Sequence, residues 1–479
     1  EVRQYGSFAL VKIGQNAEVR KQITDEGGLE PVLFLARTED DEVYREVLPA
    51  LCTLSFAEVN KVDIATNGGL PPMIALLECG DPDLERMACC GVANLAEVVE
   101  NQFRIVERGA LKHLVSALSS ISFPVQREAA RALGNLSANI QYGIEIVRLG
   151  VIEKLMKMLT SGILEAQRMA LMAMANLATN VKHHKRLLQA GALEPTLELA
   201  KLALDPKQEG DAEVQRYAML LIANLSVTSA NNELIVKEAL HIVTAYSKSR
   251  DVKCRQNAIY TFGNMASNKH NLDVLKDGGC VKTVIAFAFP GDSNVQFQAV
   301  AAIRGLAMHP TISLDIVRSG GLEPLILAAS AEDVEVQREA AAALCNLSLT
   351  EENKETIARS GAIPALLNLV RSNDRERERF AVAALANLAE QVDGIAQAKM
   401  IDEGVIPAIL ALASSPLVTI KREVARALAL FACQKDSHDE LMGTGAMERI
   451  AAFMLGADRV CQRFAALSAG NLALSFDAH

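Results

Sequence analysis

The 479-residue chain is 50% hydrophobic but only 4% aromatic, contains no tryptophan, and carries a formal net charge of −10. That acidic balance argues against a nucleic-acid binder, although it leaves room for a local basic groove. No apolar run reaches the roughly 18 residues that cross a bilayer, so we expect no transmembrane segment.

The chain opens in a helical pattern, and glycines then recur at a fixed interval. Residues 1–16 look like the last helix of a repeat without its earlier helices, so we expect the chain to be part of a longer protein. Beyond them a glycine, or Glu238 in its place, marks each repeat, and the early markers are spaced by 41 residues. The marker positions are Gly27, Gly68, Gly109, Gly150, Gly191, Glu238, Gly278, Gly320, Gly361, Gly404 and Gly445.

A second series keeps the same period. In most repeats an asparagine precedes leucine and a small residue, near the end of the longest helical segment. Two independent markers with one period indicate about eleven stacked repeats after residues 1–16. The positions of the second series are Lys12, Thr53, Asn94, Asn135, Asn176, Asn224, Asn264, Gly305, Asn346, Asn387, Leu430 and Asn471.

The pattern within a repeat predicts three helices. A short first helix ends at the marker glycine, which can adopt the positive φ that suits a helix C-terminus. The second helix often has proline near its start, and a polar turn leads into the long third helix. In residues 125–138, VQREAARALGNLSA, helical spacing puts the apolar side chains on one side and Arg127, Arg131 and Asn135 on another. One unit cannot bury its apolar side alone, so neighbouring repeats must stack.

One repeat is longer than the others. Gly191 and Asn224 are 33 residues apart, whereas Gly109 and Asn135 are 26 residues apart. The extra residues lie around 204–213, between the second and third helices. We interpret this segment as a solvated loop, with a partner contact as the alternative.

The repeat unit resembles the armadillo repeat. The resemblance rests on PVQREAARALGNLSA at 124–138, EVQREAAAALCNLSL at 335–349 and SGAIPALLNLV at 360–370, and it extends over essentially the whole chain. It implies an all-α fold, a single right-handed armadillo superhelical solenoid over residues 1–479 whose third helices line one concave groove. The QRE–AA pattern resembles the vacuolar armadillo scaffold and the cytoplasmic or ciliary armadillo proteins more than the importin-α branch.

The resemblance also implies that asparagines in the groove hold the backbone of an extended partner peptide. An amide offers a donor and an acceptor together, so it can pair with both groups of a peptide unit. The alternative is that these side chains bond only to neighbouring helix backbone and support the stacking. The candidate peptide-binding asparagines are Asn94, Asn135, Asn176, Asn224, Asn264, Asn346 and Asn387.

An arginine series lies eight residues before the asparagines, within reach of the same face. Arginine presents a fork of donors that suits carboxylates, so we expect the partner segment to be acidic. The alternative pairs each arginine with the adjacent glutamate-rich turn. The candidate arginines of this series are Arg86, Arg127, Arg168 and Arg216.

A third series lies four residues before the asparagines, and the importin-α branch carries tryptophan there. This chain has none, so the slots that would hold lysine and arginine of a nuclear-localisation peptide are missing. Arg131 and Tyr260 belong to this series, and we predict that both contact the peptide, with Arg131 repelling a basic one. The other members, Cys90, Met172 and Leu220, could form side-chain pockets.

The asparagine series is interrupted, which limits where a continuous track can lie. Thr53, Gly305 and Leu430 stand where asparagine is expected. We therefore place the main binding track on residues 70–264, with a weaker patch at Asn346 and Asn387.

Motifs of catalysis and metal binding are missing from the sequence. No phosphate-binding loop, zinc-protease or hydrolase motif occurs, so we predict no catalytic residue, no metal site and no cofactor. We interpret the pair His183 and His184, in KHHKR, as a solvated basic patch. Nine cysteines without a C-x-x-C motif, Cys345 and Cys433 among them, predict buried free thiols in a reducing compartment.

These observations favour a non-enzymatic scaffold that binds extended, acidic segments of protein partners and no nucleic acid. The first alternative is a structural component of a large ciliary or cytoskeletal assembly that uses convex faces and loops. A nuclear-import adaptor is less favoured, and an enzyme is the least favoured. We expect an intracellular, cytoplasmic protein, with association to a membrane surface or an axoneme left open.

Overall fold

The computed structural model describes residues 2–38, 40–204, 211–390 and 395–476. Within these ranges every regular element is a helix. The chain divides into two compact units, Glu1–Thr228 and Ser229–His479. In each unit the third helices pack against one another in chain order, so each is a helical stack of the predicted kind. That both belong to one continuous solenoid stays a prediction.

Unit 1 holds the first part of the repeat series. Its opening helix packs on the third helix of the next repeat. The third helices of its complete repeats are α4, α7, α10, α13 and α16. Its helices are α1 (Val2–Ile13), α2 (Ala17–Asp25), α3 (Leu29–Ala36), α4 (Asp41–Leu54), α5 (Lys61–Thr66), α6 (Leu70–Ala75), α7 (Pro82–Ala96), α8 (Val99–Glu107), α9 (Ala110–Ala117), α10 (Phe123–Ser137), α11 (Ile140–Arg148), α12 (Val151–Leu159), α13 (Leu164–Leu177), α14 (His184–Gln189), α15 (Leu193–Ala203) and α16 (Ala212–Ser226).

Unit 2 continues the same order. Its third helices are α18, α21, α24, α27, α30 and α33. Its helices are α17 (Ser229–Tyr246), α18 (Val252–Ala266), α19 (Leu272–Asp277), α20 (Cys280–Phe287), α21 (Ser293–Leu306), α22 (Pro310–Arg318), α23 (Leu322–Ala328), α24 (Val334–Leu347), α25 (Glu351–Arg359), α26 (Ala362–Val370), α27 (Arg375–Ala389), α28 (Ile395–Asp402), α29 (Val405–Ala411), α30 (Val418–Ala432), α31 (His438–Gly443), α32 (Ala446–Leu455) and α33 (Arg459–Phe476). Short 3₁₀ turns precede α5, α14, α19 and α31 and follow α29.

Most marker glycines separate first from second helices because they adopt left-handed backbone, whereas at Gly278 the left-handed residue is the next one, Gly279. Gly109 has φ of 79° and Gly361 has φ of 89°, values that a residue with a Cβ rarely takes. Where Glu238 replaces the glycine, the expected break is absent and both helices merge into α17. The prediction of three helices in every repeat is therefore wrong at this repeat.

Most third helices begin at capping aspartates, α10, α13 and α30 being the exceptions, and third helices carry the core. Asp81 and Asp211 each accept backbone N–H bonds from the first turn of their helices, α7 and α16. On α10 the predicted apolar side is buried, with Val125 and Leu136 fully enclosed. Of the predicted loop at 204–213, residues 205–210 lie outside the described residues.

Candidate functional site

The predicted binding face of unit 1 is formed by four successive third helices, α7, α10, α13 and α16. Its asparagines, which we call the amide ladder, are Asn94, Asn135, Asn176 and Asn224. Asn94 is buried, whereas the other three are partly exposed. The ladder therefore contains two kinds of site, which differ in what surrounds the amide.

Three ladder amides bond to the third helix of the preceding repeat. Nδ2 of Asn135 donates to the carbonyl of Ala93 at 3.1 Å, and Nδ2 of Asn176 donates to that of Gly134 at 2.9 Å. Nδ2 of Asn224 donates to the carbonyl of Ala175 in α13 at 2.8 Å. The stacking role that the sequence left open is thus present at these sites. The Oδ1 atoms of the three amides have no hydrogen-bond partner among the described residues, so they can accept N–H groups from outside.

Asn94 is different because its amide is saturated. Its Nδ2 donates to Ser55 Oγ at 2.9 Å, and its Oδ1 accepts from Arg131 Nη2 at 2.8 Å. The residue is 2% exposed. A peptide could use this amide only after displacing the guanidinium of Arg131.

Unit 2 contains the same arrangement around Asn387. Nδ2 of Asn387 donates to Ser348 Oγ at 3.0 Å, and Oδ1 accepts from Arg426 Nη2 at 2.8 Å. Arg131 and Arg426 also each bond a glutamate three residues earlier in their own helices. We call these two sets the amide–arginine clusters: Ser55, Lys61, Asn94, Glu97, Glu128 and Arg131 in unit 1, and Ser348, Lys354, Asn387, Glu390, Glu423 and Arg426 in unit 2.

Each amide–arginine cluster includes a buried lysine. Lys61 is 4% exposed, and its Nζ lies 2.5 Å from a carboxylate oxygen of Glu58 and 2.5 Å from one of Glu97. Burial alone would lower the pKa of Lys61, but the bonds to the two carboxylates outweigh it and the pKa is raised. Lys354 is placed in the same way against two glutamates.

A continuous chain of ion pairs crosses the binding face of unit 1. Glu97 bridges Lys61 and Arg131, with an oxygen 3.1 Å from Nη1 of Arg131. The chain continues through Glu128, which contacts Arg131 and Arg127 on the same helix. It then passes to the next repeats along Arg127, Glu165, Arg168, Glu213, with distances of 2.9 to 3.9 Å.

This chain changes the meaning of the predicted arginine series. Arg127 and Arg168 already bond carboxylates of their own and adjacent third helices, which is the alternative that the sequence left open. Arg86 forms no ion pair within the described residues, and Arg216 is exposed. The face is therefore a string of alternating charges rather than an unpaired basic stripe.

The predicted positions four residues before the asparagines are largely filled. Cys90 is 5% exposed and Met172 is 8% exposed, so neither offers a deep side-chain pocket. Leu220 is partly exposed. In unit 2, Tyr260 and Asn264 lie half-buried on α18.

The ladder of unit 2 has a gap with a steric cause. Asn346 donates to the carbonyl of Arg304 at 2.9 Å, as its counterparts in unit 1 do. At Gly305, however, a Cβ would lie 2.6 Å from the carbonyl oxygen of Ala266. No asparagine fits there, because the neighbouring helix approaches too closely.

A second set of amides, on the first helices or the 3₁₀ turns that precede them, was not predicted from the sequence. Asn101 is fully buried, and its Nδ2 donates to the carbonyl of Leu95 near the end of α7 at 3.2 Å. These bonds satisfy carbonyls that a helix end leaves unpaired. The sequence contains a signal for this set, because its members recur at the repeat period. Its members with the same bond are Asn60, Asn101, Asn271 and Asn353.

The interpretation of the histidine pair as a solvated patch is wrong. His183 is 4% exposed and His184 is 1% exposed. His184 Nε2 lies 2.7 Å from the carbonyl of Ala178, and Nδ1 lies 2.7 Å from Thr228 Oγ1. Burial lowers the pKa of both imidazoles. His183 stands two repeats after Asn101, and His184 reaches the carbonyl six residues earlier as Gln102 does two repeats before it.

Other chemical sites are few. The nine cysteines are all free, but Cys433 is exposed, because it lies just beyond the end of α30. No group of three or more residues able to hold a metal ion occurs in the described ranges. Across the same ranges, no helix combines the length and apolarity needed to cross a membrane.

Comparisons with known proteins agree with this geometry. The profile of the armadillo/beta-catenin-like repeat matches residues 99–138 and 313–349. A crystal structure of an engineered protein is 28% identical, with a TM-score of 0.77 over 84% of this chain and 98% of that one. A second solved structure is 16% identical, with a TM-score of 0.74 over 97% of this chain and 98% of that one. Its title concerns a conserved phosphorylation switch that controls the interaction between cadherin and beta-catenin. No curated protein sequence matches the chain.

Proposed function

We propose that this chain, which matches the armadillo/beta-catenin-like repeat over residues 99–138 and 313–349, acts as a protein-binding scaffold rather than as an enzyme. The fold is shared with a structure that concerns binding between cadherin and beta-catenin. The proposal for this chain rests on its own third-helix face, where amide acceptors recur from repeat to repeat.

The single observation that carries the proposal is the open Oδ1 at Asn135, Asn176 and Asn224. Packed helices lie about 8–10 Å apart, and an extended peptide rises about 3.3 Å per residue. Three peptide residues therefore span about one repeat. In a segment with three residues per turn, as in polyproline II, every third N–H points the same way and can meet a ladder carbonyl. These hydrogen bonds involve the peptide backbone and not its side chains, so extended segments of varied sequence can form them.

We also propose that the partner segment is acidic, but that its negative charge adds little to the affinity. A partner carboxylate must replace Glu165 or Glu213 beside the guanidinium of Arg168, so it exchanges one ion pair for another. The net gain is small and sensitive to salt. Arg86, which lies outside the ion-pair chain, is the arginine that a partner carboxylate can approach without displacing another.

The groove proposal is tested by locating a bound peptide. Peptides are selected on the full chain from a random library, and an enriched one is resynthesised with a photoreactive residue. We expect cross-links on α10, α13 and α16. Cross-links confined to the first helices α8, α11 and α14 would contradict the groove proposal. A lysine- and arginine-rich peptide serves as the comparison, and its tighter binding would favour an import adaptor.

The alternative of a structural component has one observation in its favour. Val99, Phe103, Ile140 and Val181 lie on first-helix segments of unit 1 and are 72%, 60%, 59% and 52% exposed. Such a row of exposed apolar side chains suits contacts in a larger assembly. A ciliary, cytoskeletal or membrane-surface location follows only from this alternative, whereas the nine free thiols favour an intracellular, reducing compartment.

A further inference from the structure

Two cysteines meet between the third helices α4 and α7. The side chains of Cys52 and Cys90 interact closely enough to shift each other's pKa, which is raised for Cys52 and lowered for Cys90. The equivalent positions two repeats later are also directed toward each other. A Cβ placed on Gly134, the counterpart of Cys52, would lie 3.0 Å from the side chain of Met172, the counterpart of Cys90. These two positions therefore face each other across the helix interface.

The surroundings of Cys90 favour its thiolate. Arg131 Nη2 lies 3.5 Å from the sulfur of Cys90, and Asn94 Nδ2 lies 4.0 Å from it. The interaction with Cys52 lowers the pKa of Cys90, against the effect of burial. The adjacent Cys89 is fully buried, and burial raises its pKa far above the ordinary value. Two neighbouring cysteines thus differ sharply in their expected reactivity.

We propose that Cys52 and Cys90 are a redox pair that a peroxide converts into a reversible disulfide. The thiolate of Cys90 attacks one peroxide oxygen, the O–O bond breaks, and a sulfenic acid forms while the other oxygen leaves as water after protonation. The thiol of Cys52 then attacks the sulfenic sulfur and expels a second water. Two thiols are oxidised, one peroxide is reduced to two waters, and the new S–S bond links α4 to α7.

Unit 2 supplies an internal control for this site. Its amide–arginine cluster repeats the surroundings, since Arg426 Nη2 bonds Asn387 Oδ1 at 2.8 Å and approaches the carbonyl of Ala383 at 3.3 Å. Cys345 stands where unit 1 has Cys52, but Ala383 stands where unit 1 has Cys90. Burial raises the pKa of Cys345 to about 11. Unit 2 therefore has half of the pair in a matching environment.

The test treats the full wild-type chain with hydrogen peroxide, blocks remaining thiols, and maps tryptic peptides by mass spectrometry without reduction. We expect a linked peptide that joins Cys52 to the segment with Cys89 and Cys90, and its loss after reduction. The Cys89→Ala variant assigns the link, because it should form the disulfide as fast as wild type. Oxidation of the exposed Cys433 shows that the peroxide treatment has worked. If Cys52 and Cys90 are then still found alkylated and unlinked, the proposal is overturned. Loss of the link in Cys89→Ala would overturn it as well.

A second variant tests whether the surroundings direct the reaction. Ala383→Cys places a thiol opposite Cys345 beside Arg426, and we expect a new disulfide with Cys345 under the same treatment. If the unit 1 disulfide forms but this one does not, two facing cysteines beside the arginine are not sufficient for disulfide formation, which would contradict the claim. Because alanine and cysteine are similar in size, this variant keeps the packing of α27.

Discussion

At the scale of single residues, position in the repeat does not decide what an amide does. Asn94 and Asn135 occupy the same place in successive repeats, yet one is saturated and the other keeps an open acceptor. The difference comes from Ser55 and Arg131, which lie in the repeats before and after Asn94. The sequence predicted the series of asparagines but not this division, because the deciding partners are contributed by neighbouring repeats.

Replacement of the two kinds of amide should have unequal effects. Asn94→Ala leaves the buried donor of Arg131 without its acceptor, and we expect a loss of about 1–3 kcal/mol in local stability. Asn135→Ala removes one neutral hydrogen bond, worth about 0.5–1.5 kcal/mol. Hydrogen exchange of α7 and α10 measures both. Asn387→Ala is the matched variant in unit 2 and should resemble Asn94→Ala; equal losses at all three positions would contradict the division.

The buried histidines predict a dependence of stability on pH. Burial lowers the folded pKa of His183 and His184 below the ordinary value near 6.5, so the unfolded chain binds more protons in that window. Their contribution is complete above about pH 6.5 and is lost as the pH falls toward the folded pKa. Gln102, two repeats earlier, bonds the carbonyl of Ala96 from the position of His184.

We therefore expect His184→Gln to reduce the fall in thermal stability between about pH 7 and pH 5. Thermal melts across this range measure the effect. The exposed His241→Gln serves as control and should leave the wild-type slope unchanged. A slope in His184→Gln as steep as that of wild type would show that this imidazole does not contribute.

At the scale of elements, the repeat pattern predicted most helices and their ends. The glycine series located the breaks between first and second helices, and the aspartates that cap α7 and α16 lie in the polar turns expected there. Two failures have local causes. Loss of the glycine at Glu238 merges two helices into α17, and the close approach of Ala266 leaves no room for a side chain at Gly305.

The ion-pair chain gives an element-scale prediction. Glu97→Gln removes the carboxylate shared by buried Lys61 and Arg131, and we expect it to weaken the contact of α5 with α7 by about 1.5–3 kcal/mol. Glu165→Gln is the matched control, because Glu165 joins the more exposed Arg127 and Arg168 and should cost about 0–1 kcal/mol. Hydrogen exchange of α5 compares the two. A greater effect from Glu165→Gln would contradict the importance of the buried lysine.

At the scale of the whole molecule, the fold was more predictable than the charge of its binding face. The repeat period and the NLA motif were enough to predict the all-α stack, because each repeat carries the same apolar pattern. The arginine spacing predicted a basic stripe within an acidic molecule, whereas Arg127 and Arg168 meet carboxylates from their own and adjacent third helices. Such pairing depends on the register between neighbouring repeats, and a linear spacing of residues does not reveal it.

The central claim is that open ladder carbonyls hold an extended partner. The most direct measurement is the Kd of a library-selected peptide for the full chain and for the triple variant Asn135→Ala, Asn176→Ala, Asn224→Ala. Loss of about three hydrogen bonds should raise the Kd by about a hundredfold while circular dichroism shows unchanged helix content. The matched variant Val99→Ser, Ile140→Ser, Val181→Ser, on the first-helix segments, should bind as wild type does. An unchanged Kd in the asparagine variant, or a loss only in the first-helix variant, would contradict the account.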